Sequence, residues 1–364
     1  TRRTNIVHLN LVKQLTDVGQ FPMLRELDFK YCLITDGNDQ TAESDDANAN
    51  DLAAHETLSY LFDHMPPQLR TLKLSPFNRV QDSVFIEHWT LDRCHGIRHL
   101  DLSNFSAVND AVVCQIVSSC PRLQRLTLKS NQRITDASIE YMCNHEHMAQ
   151  LQSLNISNCC LLTDLSIHSI LHSKFQSTLT VLKVNDCTQF SAAVLSMITV
   201  SHMPQLSRLE CYRTLMSELE SFEPNNPQSP SIVVPCASPS LSVLKLQCCN
   251  KFRDCSQLSR FPMLHTVNMS HCRPLDNDSL RNWCLQPNRN LKSINMSSTF
   301  KINPHGWLYF INNCTILQNL SRLVLSSCLL TDEVIISLCQ SVQRNNTGHC
   351  LTELNVSYPV GPVE

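Results

Sequence analysis

The sequence predicts an α/β solenoid: one domain of stacked repeats, with a parallel β-sheet on the concave face and helices on the convex face. Three observations predict it. Leucine or isoleucine recurs as L-x-x-L-x-L, as in Leu123, Leu126 and Leu128. A small or polar residue, most often cysteine, follows eight positions after the first leucine. A Thr-Asp or similar pair then opens a short apolar-periodic stretch, as at Thr135-Asp136. One strand and one helix in fewer than about thirty residues bury no core alone, so each unit needs copies on either side.

Thirteen strand motifs begin at Ile6, Leu24, Leu69, Ile97, Leu123, Leu151, Leu179, Leu206, Leu241, Leu264, Leu291, Leu320 and Leu351. Most are 26 to 31 residues apart, which gives about 12 to 13 repeats over 1–364. The 18-residue step from Ile6 makes that motif the weakest, and the 23-residue step after Leu241 predicts a short, non-helical return. Two long steps mark insertions. Residues 38–56 hold Asp39, Glu43, Asp45, Asp46, Asp51 and Glu56 without a Lys or Arg, and read as a solvated acidic loop. Residues 221–240 carry Pro224, Pro227, Pro230, Pro235 and Pro239, and read as a Pro/Ser-rich loop without regular structure. Ser229-Pro230 and Ser238-Pro239 lie in it. We read it as an unmodified spacer, with proline-directed phosphorylation as the alternative.

Within a repeat, strand alternation turns the second and third leucines inward and the residues between them outward. Cys32, Asn131, Cys159, Cys187, Cys249, Cys272 and Cys328 fall where the chain turns in from the strand, and Phe77, Phe105, Thr214 and Thr299 take the same place elsewhere. Thr35-Asp36, Gln81-Asp82, Asn109-Asp110, Thr135-Asp136, Thr163-Asp164 and Thr331-Asp332 read as helix starts, with Asp as a good N-cap. Ala111, Ile116 and Val117 form one inward stripe, and Ile167, Ile170 and Leu171 another.

Composition narrows the function classes. Of 364 residues, 42% are hydrophobic, enough for a continuous core, and the net charge of −3 gives no field favouring nucleic acid or membrane. Six glycines argue against phosphate-binding glycine loops. The nineteen cysteines are odd in number and many sit at one fixed repeat position, so they read as small buried hydrophobes in a reducing compartment, cytoplasmic or nuclear. The sequons at Asn155, Asn268, Asn295 and Asn355 fall inside the strand motif and read as coincidental with it. No signal peptide or apolar run of about 18 residues is present.

Cys120 to Cys143 resembles the cysteine-containing leucine-rich repeat, C-x-x-L-x-x-L-x-L-x-x-C-x-x-[IL]-T-D, with Asn131 in place of the second cysteine. Leu151 to Asp164 and Leu320 to Asp332 resemble it with Cys159 and Cys328. The resemblance implies a leucine-rich-repeat horseshoe similar to the repeat domain of F-box/LRR proteins, the substrate receptors of cullin-based ubiquitin ligases. It also implies a Skp1-type adaptor as partner, provided an F-box precedes residue 1. No F-box is legible before Leu24. The alternative is a structural or scaffolding subunit of an intracellular assembly. The last strand, at Leu354 to Val356, has no capping helix after it, so a partner or further sequence is expected to cover its edge.

No nucleophile elbow, Walker loop or H-E-x-x-H is present, and no catalytic residue, cofactor or metal site is expected. Cys159-Cys160 and Cys248-Cys249 are adjacent pairs rather than C-x-x-C knuckles, and His168 with His172 reads as an exposed convex pair. What remains is the outward strand face. From the third to the ninth repeat it presents Arg70, Lys73, Arg98, Arg125, Lys129, Lys183, Arg208, Arg213 and Lys245, with Tyr212 among them, against Asp101, Asp186 and Glu210. From the tenth repeat it turns to Asn268, Ser270, Asn295, Ser297 and Asn355. The basic part suits a protein partner offering an acidic or phosphorylated segment.

Overall fold

A leucine or its equivalent sits at the centre of each three-residue strand and is buried in all but the last, where Leu354 is 41% exposed. Leu72, Leu100, Leu126 and Leu154, and later Leu182, Leu209, Leu244, Val267 and Ile294, are 2% exposed or less. The alternation read from the sequence therefore sets the sidedness of every one of these strands. The structure is a computed structural model that describes residues 5–17, 23–29, 32–35, 47–74, 80–190, 203–213, 239–249, 252, 254–344 and 351–357. The chain divides into two units, Thr1–Leu179 and Thr180–Glu364. Both have the α/β leucine-rich-repeat solenoid architecture.

In the first unit β1 (Asn5–His8) and β3 (Cys32–Thr35) form a separate parallel pair. The repeat strands are β2 (Glu26–Asp28), β4 (Thr71–Lys73), β5 (His99–Asp101), β6 (Arg125–Thr127) and β7 (Ser153–Asn155), parallel and in register. In the second unit β8 (Val181–Lys183), β9 (Arg208–Glu210), β10 (Val243–Lys245), β11 (Thr266–Asn268), β12 (Ser293–Asn295), β13 (Arg322–Val324) and β14 (Glu353–Asn355) continue the same way. Among the described residues twelve strands thus carry the repeat, one at each motif from Leu24 onward. Ile6 does not join them. It lies in β1, and Cys32, expected at an inward turn, lies in the strand that β1 pairs with.

The acidic loop expected at 38–56 is helix from its tenth residue on, because α-helix runs Ala47–Asp63. Leu58, Leu61 and Phe62 on it are buried, and that apolar face outweighs the acidic residues in fixing structure. Residues 38–46 and 221–238, with Ser229-Pro230 and Ser238, lie outside the described residues. The short return after Leu244 is a single 3-10 segment, Cys255–Arg260, rather than the non-helical link expected.

Of the helix starts, Thr35 instead ends β3 and Asp36 lies outside the described residues, Asp82 holds the N-cap position of helix Ser83–His88 as expected, and in three others the capping role belongs one residue earlier than the aspartate. Asn109, Thr135 and Thr163 are the N-caps of helices Asp110–Ser119, Asp136–Asn144 and Asp164–Leu171, their side chains accepting from Val112, Ala137 and Leu165 N–H. The aspartate that follows reaches the next repeat. Asp110 accepts from the Thr135 N–H at 2.8 Å and its hydroxyl at 2.6 Å, and Asp136 does the same to Thr163 at 2.9 and 2.6 Å. Each carboxylate therefore fixes one helix start to the next, a charge-assisted link invisible to an intrahelical argument. Of the predicted stripes, Ile116, Val117, Ile167, Ile170 and Leu171 are buried. Ala111 is exposed, and Val112 and Val113 are buried on that helix instead.

The inward cysteine position links repeats by hydrogen bonds. Cys159 donates its S–H to the Leu128 carbonyl at 3.2 Å, Cys272 to Leu246 at 3.0 Å and Cys328 to Met296 at 3.2 Å, each in the preceding repeat. The residue just before this position is left-handed in nine repeats, at Asn104, Ser130, Asn158, Asp186, Arg213, Cys248, His271, Ser298 and Ser327, although none is glycine. Such a φ costs about 1–2 kcal/mol in an L-residue. It is retained because the turn aims that residue's N–H at the following repeat: Ser130 at Ser157 O (2.8 Å), Cys248 at Ser270 O (2.9 Å), His271 at Ser297 O (2.8 Å).

Candidate partner-binding face

In the first unit the outward positions flanking each central leucine are Glu26 and Asp28, Thr71 and Lys73, His99 and Asp101, Arg125 and Thr127, Ser153 and Asn155. Lys73 is not available as a bare cation. Glu26 and Asp28 on the neighbouring strand hold its ammonium at 2.8 Å each. Their hydrogen bonds, Asp28's first, push its pKa above the ordinary lysine value. Arg70 turns its guanidinium to the backbone, donating to the Leu69, Pro67 and Gly96 carbonyls at 3.1, 3.3 and 3.4 Å. Arg98, Arg125 and Lys129 are exposed. His99 lies opposite Arg125 in the ladder, and burial first, then the Arg125 charge, holds its imidazole below the usual range. The five predicted cations of this unit thus do not converge.

In the second unit three of them do. Lys183, Glu210 and Lys245 stand in register on β8, β9 and β10, so the carboxylate lies between the two lysines. Glu210 Oε1 receives Arg208 through Nε and Nη2, both at 2.6 Å, Lys245 Nζ at 3.1 Å and Lys183 Nζ at 3.6 Å. Its side chain is only 7% exposed, whereas those of Lys183, Arg208 and Lys245 are 32%, 39% and 31% exposed. Asn185, itself buried, donates to Oε2 at 3.5 Å. Three cations on one carboxylate leave two positive charges, and the cations rather than the anion face solvent.

Burial pushes the Glu210 carboxyl up, but hydrogen bonds from Arg208 and Lys245 and the charge of Lys183 outweigh it and hold the group below the usual range. A carboxyl depressed on folding contributes stability above its unfolded value, about 4.5, and loses it as pH falls through the lower folded-state value. Urea unfolding of wild type and Glu210→Gln is expected to differ most at about pH 6, the difference shrinking as pH falls below the unfolded value of about 4.5. A difference that does not change with pH would show that ionisation of Glu210 contributes nothing to folding.

Tyr212 and Arg213 follow on the same segment. Tyr212 is half-buried and its backbone N–H donates to Asn185 Oδ1 at 3.0 Å. Burial, then the charge and hydrogen bond of Asp186, raise its phenol above the ordinary value. Arg213 sits in the left-handed turn, its guanidinium 3.3 Å from Asp186 and 5.6 Å from the Tyr212 ring centroid. Its charge is matched by Asp186, so it adds no net charge.

The asparagines from the tenth repeat onward have a structural task. Asn268, Asn295 and Asn355 accept through Oδ1 from the N–H of Ser270, Ser297 and Ser357, at 3.0 Å each, closing the turn at the end of the strand.

Sequence reading missed Glu26, Asp28 and Asn185. The signal for the two acids was present, since Glu26 and Asp28 flank Leu27 as Thr71 and Lys73 flank Leu72, but the face had been counted only from Arg70. Glu210 had been counted as one opposing charge, whereas it is the point on which three cations meet.

Among the described residues the cysteines are free thiols. No group of three or more His, Cys, Asp or Glu among them could hold a metal ion. No helix among them is long and apolar enough to cross a membrane. His168 and His172 are stacked with ring centroids 4.4 Å apart on the exposed side of their helix, and His172 Nδ1 is 2.8 Å from the His168 carbonyl.

No protein-family model matches the chain, and no curated protein matches it. Solved structures do. One, the crystal structure of the Rad7 and Elc1 complex in yeast, is 17% identical, covers 85% of this chain and 81% of that chain, and superposes with a TM-score of 0.48.

Proposed function

We propose that this chain is a protein-recognition module that takes an acidic or phosphorylated segment of its partner on the outward strand face. The observation that supports the reading is the Lys183–Arg208–Lys245 cluster. It has three part-exposed cations, one buried counter-charge and an excess of two positive charges in a chain whose net charge is −3. Arg and Lys at this spacing suit carboxylate and phosphate. Tyr212 offers a neighbouring aromatic surface of the kind favoured in protein interfaces. Arg98, Arg125 and Lys129 on the first unit form the further contact set in this reading, and Arg70, Lys73 and Arg213 contribute less because their charges are already engaged.

The test is affinity capture with the purified chain against the triple variant Lys183→Glu, Arg208→Glu, Lys245→Glu, and separately Arg125→Glu. The partners held by wild type should fall at least about tenfold on the triple variant, since reversing charge on a contact makes it repulsive. Circular dichroism should show the same fold for both. Unchanged capture by a folded triple variant would remove the reading.

The finer role we propose is the substrate-recognition part of an SCF-type ubiquitin ligase, on the strength of the cysteine-containing repeat pattern. Its test is co-purification of a Skp1-type adaptor with the product of the complete coding sequence. No adaptor under conditions that retain the partner would leave a recognition module outside that ligase class.

A further inference from the structure

We infer that the group bound by the Lys183–Arg208–Lys245 cluster is a phosphomonoester on the partner, and that Glu210 makes the site reject carboxylate side chains. The inference rests on the reading just proposed and narrows it from acidic or phosphorylated to phosphorylated.

Charge balance is the first argument. Glu210 already occupies the position a single carboxylate would take, with Arg208 and both lysines directed at its Oε1. A carboxylate from a partner would neutralise one of the two remaining charges while standing close to a fixed, buried negative charge. A phosphomonoester carries about −1.5 to −2 at neutral pH and so matches the whole excess.

Donor supply is the second. Each ammonium has three N–H groups, of which Lys245 gives one to Glu210 while Lys183, 3.6 Å away, is held by charge alone, and the Arg208 fork has engaged Nε and Nη2 but not Nη1. The spare donors exceed what the two oxygens of a carboxylate accept and suit the three oxygens of a phosphate. The lysines stand two strand spacings apart, about 10 Å between their backbones. Their long side chains converge over that gap because Glu210 draws both inward from β9. Glu210 thus assembles the site and also sets its selectivity. Asn185, donating to Oε2 from a buried position, keeps the carboxylate from swinging out to a partner cation.

The experiment uses the purified full chain and three immobilised degenerate peptide libraries, alike except for a fixed central phosphoserine, glutamate or serine. Wild type is expected to retain the phosphoserine library at least about tenfold over the glutamate library. Lys183→Gln with Lys245→Gln should lose that retention, while Lys183→Arg with Lys245→Arg keeps it, with thermal melting confirming that each variant folds. Glu210→Gln should bring the glutamate library close to the phosphoserine one. Equal retention of both libraries by wild type, lost in the glutamine variants, overturns the phosphate inference and leaves acidic-segment recognition standing. Retention indifferent to both lysines overturns both. A phosphoserine preference that Glu210→Gln leaves unchanged overturns the role of Glu210. Displacement of the phosphopeptides by a short single-stranded oligonucleotide at equal concentration would assign the cluster to nucleic acid instead.

Discussion

Asn131→Leu is expected to lower the unfolding free energy by about 3 kcal/mol, and Asn131→Cys by about half of that. Asn131 is 1% exposed at the inward turn of its repeat. Its Nδ2 donates to the Leu102 and Leu128 carbonyls at 3.0 Å each, and its Oδ1 accepts from the Phe105 N–H at 2.7 Å. Leucine fills the space but supplies neither donor nor acceptor. The Leu128 carbonyl would keep its bond from Cys159, whereas the Phe105 N–H would lose its bond to the amide oxygen and the Leu102 carbonyl its bond from the amide nitrogen. Two such losses at about 1–3 kcal/mol each set the size of the effect. Cysteine restores the donor, because Cys159 already makes the equivalent bond to Leu128 one repeat later. It does not replace the amide oxygen to which the Phe105 N–H donates, hence the intermediate cost. Urea denaturation of the three proteins checks the order. Equal stability of the leucine and cysteine variants would mean that the S–H donor contributes nothing here.

Trp283→Ala is expected to cost about 4 kcal/mol and Trp283→Phe about 2 kcal/mol. Trp283 is fully buried on helix Asn277–Leu285 and stacks on Phe310, ring centroids 6.0 Å apart, so truncation opens a large cavity between neighbouring repeats. Its indole N–H donates to Asn288 Oδ1 at 3.0 Å. Asn288 in turn donates to the Leu258 and Phe261 carbonyls at 2.7 and 3.2 Å, tying the short 3-10 return of one repeat to the helix of the next. Phenylalanine keeps most of the packing and leaves the Asn288 oxygen without its donor. A phenylalanine variant as stable as wild type in chemical denaturation would place the whole effect in packing.

The repeat itself was legible in the sequence because each of its requirements is local. Leu126 and Leu128 must alternate with outward residues on a strand, and their burial follows from that period alone. Cys159 and Cys272 read as packing rather than chemistry because they recur at one register position, and both are buried. The helix starts were legible for the same reason. The assignment of roles within them was not. Asp136 lies at the right place to cap its own helix, yet it binds Thr163, 27 residues on, and Thr135 does the capping. A capping argument considers one helix at a time, and the competing partner belongs to another repeat.

The binding face divides along the same line. Arg125 and Lys183 were assigned outward by parity, and Lys73 likewise, but parity gives no information on counter-ions. Lys73 is engaged because β2 lies beside β4, a neighbour brought from 45 and 47 residues away across an insertion. Lys245 reaches Glu210 across the Pro/Ser-rich insertion, and that contact gives the cluster its two-charge excess.

The residues alone specify the repeat unit, its register and, along most of its strands, which side chains face in. A period of two along a strand and a fixed offset to each turn leave no other arrangement that hides the leucines. Only the tertiary structure decided that β1 pairs with β3 outside the repeat ladder, that Ala47–Asp63 is helix, and that one buried glutamate gathers three cations. Each of these depends on which segment lies beside which, and insertions of varied length between strands remove that information from local spacing.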